Sequence, residues 1–327
     1  MRCMKFRAGF LCLALAWANA HGQPYPAKPL TLIIPFPPGG STDIVGRIVA
    51  DGMARELGQP FVIDNRGGAG GAIGAKAIAD AAPDGYTLGV ATVSTHVVNP
   101  VVNQAMRGEP LRYDPLKDFT LVSQIAAVPN VVSIHPSVPA RDMKEFLDYA
   151  KSNPGKLNFG TPGPGSLGHL IGETFKYAAG VDMTHVPYRG AGPALNDTLA
   201  GQVQVLFDNL PSSLPHIQAG RLRALAVASD RRVASLPGIP TFAEVGLPLV
   251  NDPSWFGLVG PAKLPDAVVR RIHESLVRAL KQPDTAKRLN GAAAEPVGNS
   301  PEAFRALIAA AIENSRRVVK EANLKFD

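Results

Sequence analysis

The sequence predicts an α/β protein of two lobes with a cleft between them. Three observations carry that prediction. Apolar strand-like runs alternate with helically spaced runs over most of the 327 residues, the pattern of largely parallel sheets. A glycine-rich loop recurs three times, each copy just after a strand and just before a helix. The last part of the chain turns helical and has too little apolar surface to stand alone, so it is expected to return onto the first lobe.

The elements follow in order. Leu30–Phe36 reads as a buried strand. Thr42–Leu57 reads as a helix, with Val45, Val49, Met53 and Leu57 four apart on one face. Phe61–Asp64 is a second strand, Gly70–Ala82 a small-residue helix, Pro83-Asp84-Gly85 a turn and Tyr86–Thr92 a third strand. A second block begins near Phe119. Phe119–Ala127, Val131–Ile134, Leu157–Phe159, Met183–Val186, Gln204–Phe207 and Leu222–Ala228 are strand-like. Arg141–Ser152, Ser166–Ala179 and Ala191–Ala200 are helices between them. Pro265–Leu280 and the stretch after Ser300-Pro301-Glu302 are helices, the latter opened by an N-cap serine and a proline at the first helical position. The expected lobes are 21–118 with 229–327 for the first and 119–228 for the second. The chain then crosses twice, near Phe119–Ala126 and Arg223–Ser229, and two crossings make a hinge over a ligand cleft.

Residues 1–20 read as a processing signal: Arg2, Lys5 and Arg7, an apolar stretch from Ala8 to Ala18, then Ala18-Asn19-Ala20 before a cut at His21. The apolar run is about half of the ~20 residues a membrane span needs. Removing these 20 residues leaves 307 of 327, enough for two sizeable cores. Both cysteines, Cys3 and Cys12, lie in the signal, so disulfides and thiolate metal sites are not expected in the exported chain. The charge is +6, with 33 basic and 27 acidic residues. Without the three leader cations it is 30 against 27, a mild excess. No Lys/Arg run is interleaved with aromatics, which argues against nucleic acid. None of the seven histidines has a His-x-x-x-His spacing, and no acidic cluster reads as a calcium loop, so neither metal nor cofactor is expected.

The glycine loops carry the chemistry. They are Pro37–Asp43, Arg66–Ala72 and Gly160–Ser166. Glycine lets a ligand approach the backbone closely. A helix start offers unpaired N–H groups and a partial positive charge, so each corner suits an anion. Gly68–Gly74 looks like a dinucleotide fingerprint, but it follows the second strand and lacks the acidic residue at a later strand end. Gly163–Gly168 invites a serine-nucleophile reading, yet Pro164 stands where the elbow needs glycine. Ser166 reads better as an N-cap, and His169 as a packing or surface residue. Tyr188-Arg189-Gly190-Ala191 is a further strand-to-helix corner, where Arg189 is a surface residue or part of an anion site. Asp208 would meet a ligand hydroxyl or amine, or cap the following helix. Asp43 would cap its own helix.

The chain resembles the periplasmic solute receptors of the Bug family, the binding components of tripartite tricarboxylate transporters. The landmarks are Tyr25-Pro26-x-Lys28-Pro29, Pro35-Phe36-x-Pro38-Gly39-Gly40-x-x-Asp43 and Asn65-Arg66-x-Gly68-Ala69-Gly70-Gly71-x-x-Gly74. They continue with Pro83-Asp84-Gly85-Tyr86-Thr87-Leu88, Tyr188-Arg189-Gly190 and Trp255-Phe256-Gly257. The resemblance implies a two-lobed Venus-flytrap fold of the type II-like periplasmic-binding-protein class. It also implies a small carboxylate held by loop main chain and ordered water. Carried over by position, the contacts come from Phe36, Pro38, Gly39, Gly40, Ser41, Gly70 and Gly71 on the first lobe. On the second they come from Gly163, Ser166, Gly190, Ala191 and Asp208, with Thr92 and Ser94 pointing toward the cleft.

The expected protein is therefore a periplasmic, monomeric receptor with no enzymatic activity, delivering a carboxylate to membrane subunits of a tripartite tricarboxylate transporter. An exported esterase-like hydrolase and a receptor feeding a signalling sensor are the competing readings. The first would need a nucleophile beside a base.

Overall fold

A computed structural model describes residues 25–107, 111–324 and 326. The leader, with Cys3 and Cys12, lies outside the described residues. In chain order the first elements are β1 (Leu30–Ile34), α1 (Ser41–Leu57), β2 (Phe61–Asn65), α2 (Ala72–Ala79), β3 (Thr87–Thr92) and α3 (Asn99–Arg107). Then follow β4 (Phe119–Val128), β5 (Asn130–Ile134), α4 (Met143–Ser152), β6 (Asn158–Thr161), α5 (Leu167–Ala179) and β7 (Thr184–Pro187). Next come α6 (Ala191–Leu199), β8 (Val205–Asn209), α7 (Leu210–Gln218) and β9 (Arg223–Ala228). The last are β10 (Ser254–Pro261), α8 (Asp266–Lys281), α9 (Pro283–Gly291), β11 (Glu295–Pro296) and α10 (Pro301–Glu321).

Two sheets result. The first has six strands in the order β11-β4-β10-β3-β1-β2, and the second has five in the order β7-β6-β8-β5-β9. Both are mixed rather than largely parallel. Strands β1, β2 and β3 run parallel, but β10 is antiparallel to β3 and β4, and β5 is antiparallel to β8 and β9. Each sheet is the centre of one lobe. Alternation along β1 sends Leu30, Leu32 and Ile34 to a core shared with α1 and α8, while Ile33 faces the opposite core. The second core runs without a break from the first lobe into Phe146, Phe159, Phe175 and Phe207 of the other. Among the described residues no helix is long and apolar enough to cross a membrane.

The lobe boundaries differ from the sequence expectation at both crossings. Strand β4, assigned above to the second lobe, pairs with β10 from Phe119↔Pro261 to Val128↔Ser254 and so belongs to the first sheet. An apolar run shows that a strand exists but not which sheet receives it. The first crossing is therefore at Pro129, immediately before Asn130 enters the second sheet. The segment 229–253, assigned above to the returning chain, stays on the second lobe. Phe242 N–H bonds Val227 O, the Phe242 ring packs on Phe175, and Ser229 and Asn251 exchange hydrogen bonds. The second crossing is at Ser254. The two crossings are thus the ends of one antiparallel strand pair.

Strand β10 is buried along its whole length. Its Trp255 packs edge-on against Phe304 of α10, with ring centroids 5.2 Å apart. Gly257 leaves the room that the Phe304 ring fills; a methyl there would overlap it. Phe304→Ala should accordingly cost about 3–5 kcal/mol of stability. Urea unfolding followed by Trp255 emission would show this as a lower midpoint at an unchanged slope.

Candidate functional site

The loop after β1 is built around Asp43. Its carboxylate accepts from Gly39 N–H at 3.1 Å, Asn65 Nδ2 at 3.0 Å and Arg47 Nε at 2.9 Å. Burial works to raise its pKa, and these bonds outweigh burial and hold it below the ordinary carboxylate range. Asn65 Nδ2 also donates to Phe36 O at 2.9 Å. Asp43 is thus a brace that shapes Phe36–Ser41 and leaves Gly40 as the N-cap of α1. The neighbouring cations are occupied or outward: Arg47 on Asp43, Arg66 on Asp64, and Arg189 exposed.

The glycine loops of the two lobes meet each other. A methyl on Gly70 would lie 2.6 Å from Pro164 O and 3.1 Å from Ser166 N. One on Gly163 would lie 2.7 Å from Tyr188 O and 3.6 Å from Gly70 N. Gly40 stands 3.3 Å by the same measure from Ala191 Cβ, and Gly190 backs onto Pro37. Pro38 and Gly39 are at the exposed rim, with Pro38 O approaching Gly192. Gly71 adopts φ +93° with the Phe36 ring and Thr95 where a side chain would stand. The sequence explains these glycines by close approach of a ligand. In this structure Gly70 has the opposite lobe's backbone as its close neighbour, and Gly40 and Gly190 meet Ala191 and Pro37 of the opposite lobe. Gly71 and Gly163 meet Thr95 and Tyr188 of their own lobe.

Hydroxyls complete the contact. Ser41 Oγ donates to Asn209 O at 2.9 Å, accepts from Ser212 N–H at 2.9 Å and lies 2.7 Å from Ser212 Oγ. Ser94 Oγ accepts from Leu167 N–H at 2.9 Å. Ser166 caps α5, accepting from His169 N–H at 3.2 Å. The Thr92 hydroxyl is engaged in the turn after β3, accepting from Thr95 N–H at 3.1 Å. Asp208 is engaged beside the start of α7 without capping its free N–H groups: it accepts from Asn209 N–H at 2.8 Å, Ser212 Oγ at 2.5 Å and Ser213 Oγ at 2.9 Å. Burial raises its pKa to about 6 against the pull of these bonds.

Three contributors escaped the sequence reading. Ser212 bridges to Ser41. Asn99 donates from Nδ2 to Gly70 O at 2.9 Å and holds the second glycine loop. Asn65 braces the first. Asn99-Pro100 and Pro211-Ser212-Ser213 are helix-start patterns that could have flagged two of them. Among the described residues no group of His, Cys, Asp or Glu could hold a metal ion.

Two lobes closing on facing main-chain corners define a bilobal solute-binding protein. Residues 45–324 match the model of the tripartite tricarboxylate transporter family receptor. The chain belongs to that family of periplasmic solute receptors, which are not enzymes. It is 34% identical over 317 residues to protein BugT of Bordetella pertussis, covering 97% of this chain and 96% of that one. Among solved structures it resembles Rpa4515 of R. palustris with adipate, at 37% identity and TM-score 0.87 over 92% of this chain and 99% of that one. It also resembles MatC of Rhodopseudomonas palustris with bound malate, at 34% identity and TM-score 0.85 over 90% and 100%.

Beside the second-lobe loop, His169 and His185 stack with centroids 4.1 Å apart, and Phe326 covers His169. Burial, then each other's proximity and Lys176, lowers His169 to about 3. Burial and Lys176 lower His185 to about 4. Burial alone lowers His96 to about 3. Each histidine stays neutral in the fold but binds a proton below about 6.5 when unfolded. Stability is then lost as pH falls through 6.5, by at most about 1.4 kcal/mol per pH unit per histidine. Asp208 acts oppositely, because its raised pKa makes the fold bind a proton that the unfolded chain releases. Burial, then Arg221, lowers His216 as well, and burial raises Asp252. Four histidines outweigh two carboxyls, so the melting temperature should fall between pH 7 and pH 5. His169→Gln should flatten that fall.

Proposed function

We propose that this protein captures a small dicarboxylate between its lobes and presents the closed form to membrane subunits of a tripartite tricarboxylate transporter. The observation that carries the reading is the convergence of glycine loops from both lobes on one interface. The main-chain N–H groups of Gly40, Ser41 and Gly70 supply one half-site, while Gly39 N–H is held by Asp43 and Gly71 N–H by Gly68 O. Those of Gly190 and Ala191 supply the other, framed by the Gly163–Ser166 loop, whose own N–H groups are engaged by Thr161 Oγ1, His169 Nδ1 and Gly163 O. Helix starts at α1, α5 and α6 add partial positive charge without an arginine. Asp208 supports the start of α7 rather than touching the carboxylate. The adipate and malate bound by the two structural relatives favour a ligand with a carboxylate at each end, which suits two facing half-sites. The chain acts as a monomer exported by its leader, cleaved near Ala20.

Ligand shifts the lobes only by its preference for the closed form. Binding to the folded state alone raises stability by about 2.7 kcal/mol at a hundredfold excess over Kd. A thermal-shift series with adipate, malate and their monocarboxylate counterparts should therefore raise the melting temperature, most for dicarboxylates. No shift with any carboxylate would contradict the reading. Gly70→Ala should keep a cooperative melt but weaken dicarboxylate binding by more than about tenfold, because its methyl would prevent the loops from meeting. Calorimetric titration measures that loss.

A further inference from the structure

We infer that Ser41 and Ser94 form a two-point latch that holds the lobes shut, each first-lobe hydroxyl accepting a hydrogen bond from the first turn of a second-lobe helix. At one point Ser41 Oγ meets the N–H of Ser212 in α7 at 2.9 Å and donates to Asn209 O at 2.9 Å. At the other, Ser94 Oγ meets the N–H of Leu167 in α5 at 2.9 Å. Ser41, Ser94 and Ser212 are all buried, at 2%, 8% and 4% exposure. The N–H groups concerned belong to the unpaired donors at a helix start. Ser166 and Asp208 satisfy other groups in the same turns, so the serines complete a set of partners that lies half on one lobe and half on the other.

Asp208 and Ser212 act here as positioning residues. Ser212 Oγ donates its proton to Asp208 Oδ2 at 2.5 Å, and Ser213 Oγ donates to the same oxygen at 2.9 Å. With its own proton committed, Ser212 Oγ can only accept from Ser41, 2.7 Å away, so the single Ser41 proton is shared between Ser212 Oγ and Asn209 O. The bond to a carboxylate makes Ser212 the stronger acceptor. On the hinge side, Asn209 Nδ2 donates to Asn130 Oδ1 at 2.5 Å, and Asn130 Nδ2 donates to Asp252 O at 2.8 Å. The Ser41 contact is therefore tied by hydrogen bonds to residues flanking both crossings.

The latch works through the difference between shut and open. When the lobes part, water reaches both serines and both N–H groups. When they meet, only the serine oxygens serve those donors. Removing a hydroxyl therefore penalises the closed form alone, by about tenfold in the closed-to-open ratio for one buried donor left unpaired. The loss of closed population lowers ligand affinity by the same factor when the open form predominates. That last consequence rests on the carboxylate reading; the latch itself does not.

The test uses ligand-free processed protein carrying dyes on Ile73→Cys in the first lobe and Tyr177→Cys in the second, both exposed positions. Single-molecule energy transfer then reports open and closed populations. Ser41→Ala and Ser94→Ala should each raise the open-to-closed ratio by about tenfold, and the pair should raise it further. Ser152→Ala, on the exposed end of α4, should leave the distribution unchanged. Circular dichroism confirms folding, and either serine variant alone suffices if the other does not fold. Distributions that superimpose on the parent for both serine variants would overturn the latch. Opening of the variants without any carboxylate binding would leave the latch standing and remove only the proposed function.

Discussion

The structure depends on one steric constraint: main chain from one lobe must come within contact distance of main chain from the other. At Gly70 and Gly192 the opposing atoms are carbonyl oxygens of the other lobe, Pro164 O and Pro38 O, and a single methyl would lie 2.6 Å and 2.8 Å from them. Carbonyl oxygens of loops held at both ends do not move aside cheaply. The absence of side chains at these positions therefore sets how far the lobes can close. The braces around the loops serve that constraint. Asp43 and Asn65 shape the first loop, Asn99 holds the second, and Ser166 fixes the third at the head of α5.

The hinge follows from topology. The second lobe is an insertion between β4 and β10, which are paired neighbours in the first sheet. Both connections leave that sheet side by side, at Val128 and Ser254. The loops that follow β1 and β3 lie at the same end of the sheet as these crossings, so bending the pair moves the second lobe toward or away from them. The interface is polar in a particular way. It presents helix starts and hydroxyls, and its nearby cations are engaged elsewhere, so an anion would be recognised by direction of N–H groups rather than by a point charge.

Much of this was legible in the sequence. The strand–glycine loop–helix corners are local patterns, and they appear where expected, as do α5 and α10 with their N-cap serines and α1, whose N-cap is Gly40 rather than a cap from Asp43. The two-lobe division was legible because the alternation restarts near Phe119. Its boundaries were not. Which sheet receives β4, or that 229–253 stays on the second lobe, depends on pairing with distant residues such as Pro261 and Val227. The mixed sheets escaped for the same reason, since an apolar run has no direction. At the site, the glycines were found but their immediate neighbour was not. Ser212 and Asn99 act through partners 171 and 29 residues away, a relation no spacing rule contains.

The central claim is that loops from both lobes form one site. Backbone hydrogen exchange with and without a saturating dicarboxylate tests it most directly. The account predicts that amides of Gly39–Ser41 and Gly70–Gly71 gain protection together with those of Gly165–Leu167 and Gly190–Gly192. Protection confined to one lobe, or appearing away from these loops, would contradict it.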